Sequence, residues 1–141
     1  MIDFLESEEA LTIFVGRWER CELPVEAWTH SAHVATCAYY ALRFDRATVF
    51  ERMKTGILHF NQSVGTPNSE DRGYHETLTR FWVGAVCDVI GLSSALTAIE
   101  KVRGAVSALN SPHYSKNFYS FDVVRSREAR KIWIPPDRLP D

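Results

Sequence analysis

The sequence predicts an all-α fold: one domain over residues 1–141, a helical bundle of about five helices with a short C-terminal helix. Three observations lead there. Every long apolar segment repeats at three- and four-residue spacing, the period of one helix face. Ser, Asp, Gly and Pro stand where such segments begin and stop. The chain has 141 residues, of which 45% are hydrophobic and 24% charged, enough to bury a core without covalent staples.

Ser7 is placed to cap a first helix, with Glu8 and Glu9 in the opening turn where the helix dipole favours negative charge. Leu11, Phe14, Val15 and Trp18 form its apolar face, and Leu23-Pro24 ends the unit. A second helix is expected from about Val25 to Arg43. Its first stripe is Trp28, Ala32, Ala35, Tyr39 and Leu42, and a second line of His30, His33, Cys37, Tyr40 and Phe44 runs beside it. A helix apolar on both sides is a central one. Asp45 caps a third helix that buries Phe50, Met53, Ile57, Phe60 and Val64 and wets Glu51, Arg52, Lys54 and Thr55.

Gly65 to Gly73 is a loop by composition. The fourth helix, from about Tyr74 to Ile90, is apolar nearly all round, and Gly91 is its expected stop. Ser93 or Ser94 is the expected cap of a fifth helix burying Leu96, Ile99, Val102, Val106 and Leu109. After Asn110 the chain turns aromatic (Tyr114, Phe118, Tyr119, Phe121) and is expected to pack back on the bundle. Ser126 caps a short last helix through Trp133, before Pro135-Pro136.

Charge and cysteine usage exclude several function classes. The formal net charge is −2, without the basic excess of a nucleic-acid binder. The local cluster Arg125, Arg127, Arg130 and Lys131 is interrupted by Glu128 and reads as a solvated helix face. Cys21, Cys37 and Cys87 are odd in number and form no CxxC pair, which fits a reducing compartment better than a disulfide framework. Met1 to Glu9 is acidic and lacks a basic-then-apolar leader pattern. No apolar run approaches the ~20 residues that span a bilayer. A cytoplasmic protein without membrane or nucleic-acid partners is expected. Its partner is a small-molecule substrate, and a homodimer is compatible with the composition.

The concentrated chemistry lies in two segments. In Trp28-Thr29-His30-Ser31-Ala32-His33 the two imidazoles are three residues apart and share one helix face, with Cys37 a turn further on. In Gly73-Tyr74-His75-Glu76-Thr77 a histidine and a carboxylate open the fourth helix. If these two apolar helices pack together, His30, His33, His75 and Glu76 converge as ligands for one divalent metal, zinc or iron. Glu76 and His75 are then also the catalytic candidates, Glu76 as general base if it is not a ligand. Glu76 competes for a plainer role: it precedes Arg80 by four residues, the favourable order for a helical ion pair. His59 reads as a surface histidine and His113 as a loop histidine. The GxSxG, P-loop, HExxH and GxGxxG motifs are all missing.

The stretches Trp28–His33, Gly73–Trp82, Tyr114-Ser115 and Ser126–Arg130 resemble a group of small bacterial all-helical proteins of unassigned function that carry W-x-H-x-x-H and G-Y-H-E-T motifs. The resemblance runs from about residue 20 onward. It implies that His30, His33, His75 and Glu76 belong to a shared pattern, and that Cys37 and His59 do not.

The leading expectation is a small-molecule enzyme with a buried His/Glu site between two helices, binding a divalent metal. An alternative drops the metal. His75, at a helix N-terminus where the dipole disfavours its cation, is then a neutral proton acceptor, with His30 or His33 as donor. A third keeps only a binding or interaction module, which a large apolar patch around Tyr114 to Phe121 would favour.

Overall fold

The computed structural model describes residues 3–139; Met1, Ile2, Pro140 and Asp141, the extreme ends of the predicted domain, lie outside the described residues. Among the described residues six helices follow one another: α1 (Glu8–Glu19), α2 (His30–Ala41), α3 (Arg46–Ser63), α4 (Glu76–Leu92), α5 (Ala98–Ala108) and α6 (Arg127–Lys131). Short 3-10 turns lie at Val25–Ala27 and Tyr114–Phe118, and no strand occurs among the described residues. None of their helices is long and apolar enough to cross a membrane.

The central element is α2, which packs against α1, α3, α4 and α5. Its sequence explains this: Ala32, Ala35 and Ala38 are fully buried and let neighbouring backbones approach from several sides. It starts later than the apolar pattern suggests. The chain after Pro24 makes a 3-10 turn, and Thr29 then caps α2 by accepting the Ala32 N–H (3.2 Å). Trp28 is therefore outside the helix, stacked on Trp18 at 4.5 Å between ring centres.

The caps at Ser7, Asp45 and Ser126 form as expected, each side chain accepting an N–H three residues on. Two helices end in the six-residue closure that needs a left-handed residue. In α3 this is Gly65 (φ 78), with Thr66 N–H on the Asn61 carbonyl at 2.9 Å. In α1 it is Cys21 (φ 58), with Glu22 N–H on the Arg17 carbonyl at 2.8 Å. Three further boundaries correct the sequence reading, one of them the last helix, which ends at Lys131 and does not reach Trp133 because the chain turns extended at Ile132. Gly91 lies within α4, which runs on to Leu92, and α5 is capped by Thr97 rather than Ser93 or Ser94. Leu96, expected in the core, is 93% exposed because it precedes the helix.

The aromatic tail folds back. Tyr119, Val123 and Ala129 bury Phe81 of α4, with Tyr114 and Phe118 beside them. Thr77 pins the last stretch: its hydroxyl donates to the Ile132 carbonyl (2.7 Å) and accepts the Ile134 N–H (2.9 Å). Of the four aromatics Tyr114, Phe118, Tyr119 and Phe121 only Phe121 is left exposed, while further along the tail Ile132, Trp133 and Leu139 are exposed as well.

Candidate functional site

The N-terminal turns of α2 and α4 lie side by side with the middle of α3, and together they line a half-open cavity of about 350 Å3. Val34, Met53, Ile57, Leu78, Trp82, Val83 and Val86 make its apolar wall. Its polar groups are His30, His33, Cys37, Tyr74, His75 and Thr79, with Gly73 at the edge. No Asp, Glu, Lys or Arg lines it among the described residues. The i, i+3 spacing of His30 and His33 does place both imidazoles on the cavity, with Cys37 one turn deeper.

The two α2 histidines share one arrangement. His30 Nε2–H donates to the Leu109 carbonyl at the end of α5 (2.8 Å), and His33 Nδ1–H donates to the carbonyl of the capping residue Thr29 (2.8 Å). A carbonyl only accepts, so each of these nitrogens carries the proton, and in the neutral ring the other nitrogen is a lone pair. No protein group bonds to His30 Nδ1 or His33 Nε2 among the described residues. The ring of His33 lies on Trp28 at 4.0 Å between centres, and His30 sits edge-on to Trp82 at 4.9 Å. Burial pushes His33 down to about 4 from an ordinary 6.5; the Thr29 carbonyl opposes the change and neighbouring His30 adds to it. His33 is therefore neutral at physiological pH.

His75 lies in the same wall in a different state. Its Nδ1 accepts the Leu78 N–H (3.1 Å), making it the N-cap of α4, and its Nε2–H donates to the Val123 carbonyl (2.8 Å). Burial holds it below the ordinary imidazole value, against the pull of the Val123 carbonyl. Both ring nitrogens are thus spent on structure: one starts α4 and the other ties it to the C-terminal segment. As a proposed metal ligand and catalytic base, His75 has no lone pair to offer in this geometry.

Glu76 also departs from its expected role. It is buried but points into a cluster of donors: Arg80 Nε (2.8 Å), Tyr74 Oη–H (2.8 Å) and Lys54 Nζ (3.2 Å). Burial raises its pKa, yet Arg80, Tyr74 and Lys54 together outweigh that and hold the carboxyl below its ordinary range. The competing reading of a helical ion pair describes it better than that of a ligand or base. Among the described residues no three His, Cys, Asp or Glu side chains gather as a metal-binding group. The four-residue ligand set of His30, His33, His75 and Glu76 is therefore not assembled: two members face the cavity with free nitrogens, and two are bound up in hydrogen bonds.

The remaining candidates fall into place around this. His59 and His113 are exposed. Cys37 is buried and its thiol is pushed far up by burial, the state of a small hydrophobe and not of a nucleophile. Arg130, expected on a solvated face, instead donates to the carbonyls of Gly73 (2.9 Å) and Tyr74 (3.4 Å) and so braces the segment that closes the cavity. Gly73 has φ 83, and a Cβ there would stand 2.3 Å from the Pro67 carbonyl oxygen, so only glycine fits this bend. Sequence reasoning missed Arg130 and Thr77 because their partners are more than fifty residues away.

No family model, no curated protein and no solved structure matches the chain.

Proposed function

We propose that the protein binds a small, mainly apolar molecule in the α2–α3–α4 cavity, and that His30 and His33 are its polar anchors. The observation that carries this is the pair of imidazoles described above. Each has one nitrogen fixed on a backbone carbonyl and a second without a protein partner among the described residues, and both residues line one apolar-walled pocket. Such a cavity with a few convergent polar groups is the default form of a ligand site. Chemically, a fixed neutral imidazole accepts a hydrogen bond, or a proton from a sufficiently acidic ligand, and returns it without moving. This favours a metal-free binding or acid–base site over the four-ligand metal centre.

A second reading keeps a divalent metal, zinc or iron, on His30 and His33 alone, with water or ligand completing its coordination. A carbonyl on the far nitrogen of each ring is the support that metal-bound histidines usually have. The group would supply Lewis acidity. Two imidazoles fall short of the three protein ligands common in catalytic zinc sites, so this reading ranks behind the first.

One experiment separates them. The untagged protein is analysed for metals, then screened by 1H–15N NMR against soluble one- and two-ring aromatic compounds. The expected result is no stoichiometric metal, a melting temperature indifferent to chelator, and ligand-induced shifts grouped at His30, His33, Leu78 and Trp82. Shifts that all map to the exposed face around His59 sink the cavity reading. A chelator-sensitive melting temperature that His30→Ala removes favours the metal.

A further inference from the structure

Resting on the cavity reading, we infer the chemical class of the ligand: a neutral molecule of one or two rings that brings the hydrogen-bond donor itself, such as a phenolic hydroxyl or a ring N–H.

The inference follows from where the protons lie. His30 Nδ1 and His33 Nε2 are acceptors, because the opposite nitrogens donate to the Leu109 and Thr29 carbonyls. The Tyr74 hydroxyl has already given its hydrogen to Glu76, and the Thr79 hydroxyl has given its own to the His75 carbonyl. Each of these oxygens can still accept, but neither has a hydrogen left to donate. His75 faces the cavity with both nitrogens committed. Among the wall's side chains the one remaining donor is the Cys37 thiol, a weak one; the backbone N–H groups of Gly73 and His75 also lack a protein acceptor among the described residues. The polar side chains of the wall are thus a set of acceptors in apolar surroundings. An acceptor-only ligand leaves those nitrogens unpaired and adds unpaired groups of its own, which is the costly arrangement.

Charge and size narrow the class. With no Lys or Arg on the wall, a carboxylate has no counter-ion there. Of the first-turn amides of α2, the Ala32 N–H is taken by the Thr29 side chain, whereas the His30 and Ser31 N–H groups have no protein acceptor among the described residues, which is why a carboxylate probe belongs in the test. A fully charged ammonium meets no Asp or Glu on the wall either. An apolar cavity of ~150 Å3 takes up benzene, so 350 Å3 leaves room for two fused rings or one ring with a short chain.

The test compares three probes of one shape: 2-naphthol, 2-methylnaphthalene and 2-naphthoate. Affinities are measured by NMR titration on the wild-type protein, and the side-chain 15N signals of His30 and His33 are followed. The expected result is that 2-naphthol binds about tenfold more tightly than either of the others, the worth of one good hydrogen bond. The signal of His33 Nε2 or His30 Nδ1 should move with it. In His33→Phe, a folded variant by its amide spectrum, the preference for 2-naphthol over 2-methylnaphthalene should shrink. Equal binding of 2-naphthol and 2-methylnaphthalene in the cavity overturns the donor inference and leaves the cavity reading standing. Tightest binding of 2-naphthoate overturns it in favour of an anion site. If none of the three shifts a cavity resonance, the cavity reading falls and takes this inference with it. The wild-type comparison decides the matter even if the variant fails to fold.

Discussion

Replacing His33 with glutamine should flatten part of the acid sensitivity of the fold. In the folded protein His33 titrates near 4, against an ordinary 6.5, because its ring lies against Trp28 in the cavity wall. The unfolded chain takes up the proton below about 6.5, whereas the folded chain takes it up only near 4. Between those values the unfolded state holds more protons, so stability falls as pH falls, and it levels off below the lower value. Each pH unit is worth about 1.4 kcal/mol, so the whole window of about 2.5 units is worth at most about 3.5 kcal/mol. The ring is only half-buried, and screening by water brings the expected loss to about 2 kcal/mol. His75, also held low by burial, adds a loss of the same sign. Glutamine removes only the His33 share, and its amide can still donate to the Thr29 carbonyl. Urea unfolding, followed by tryptophan fluorescence at about pH 7 and about pH 4.5, gives the two stabilities for each protein. Carboxylates that titrate in this range are common to both and cancel. The wild type should lose about 2 kcal/mol more than the variant on acidification. Parallel profiles would show that His33 is hydrated and freely protonated, and would remove the neutral acceptor on which the site is built.

Two further outcomes are expected. Gly56→Ala places a Cβ 2.2 Å from Trp18 Cη2, so overpacking should cost about 1–3 kcal/mol net despite better helix propensity; a gain in melting temperature would contradict the packing described. Glu76→Gln should cost about 1–2 kcal/mol by weakening its bonds to Lys54 and Arg80, while ligand affinity in the cavity stays unchanged; a folded variant that loses binding or turnover would restore the catalytic role read from the sequence.

Much of the architecture was readable along the chain because it is set by local chemistry. Ser7, Asp45 and Ser126 cap helices for reasons that hold within one turn, and the apolar spacing of α3 and α4 needs no partner to be recognised. What escaped depends on contacts distant in sequence or on residues acting out of type. Cys21 takes the left-handed position where glycine is usual, so composition gives no warning of where α1 closes. Leu96 continues the apolar rhythm of α5 by spacing, but the cap is Thr97, and Leu96 is stranded outside the helix. Arg130 looks like one of four basic residues on a wet surface, until the carbonyls of Gly73 and Tyr74 come within its reach.

The same division runs through the site. The spacing of His30 and His33 correctly placed two rings on one face, since helical period alone decides that. Whether a histidine then becomes a site or a strut depends on what its second nitrogen meets, and that partner comes from elsewhere in the chain. For His75 the two partners are the Leu78 amide, three residues on, and the Val123 carbonyl, forty-eight residues on. Together they exhaust the ring, and the residue becomes part of the scaffold. For His30 and His33 a single carbonyl satisfies one nitrogen and fixes the tautomer, leaving the other to whatever enters the cavity. Glu76 follows the rule from the acceptor side: three donors surround its carboxylate, so its charge stabilises the start of α4 and the loop before it. An unpaired polar group in apolar surroundings costs free energy unless something completes it. The free nitrogens of His30 and His33 are not among the fully buried unpartnered atoms, which are Trp18 Nε1, Thr36 Oγ1 and Ser115 Oγ, so they stay within reach of water; a ligand that displaces this water has to bring the donor itself.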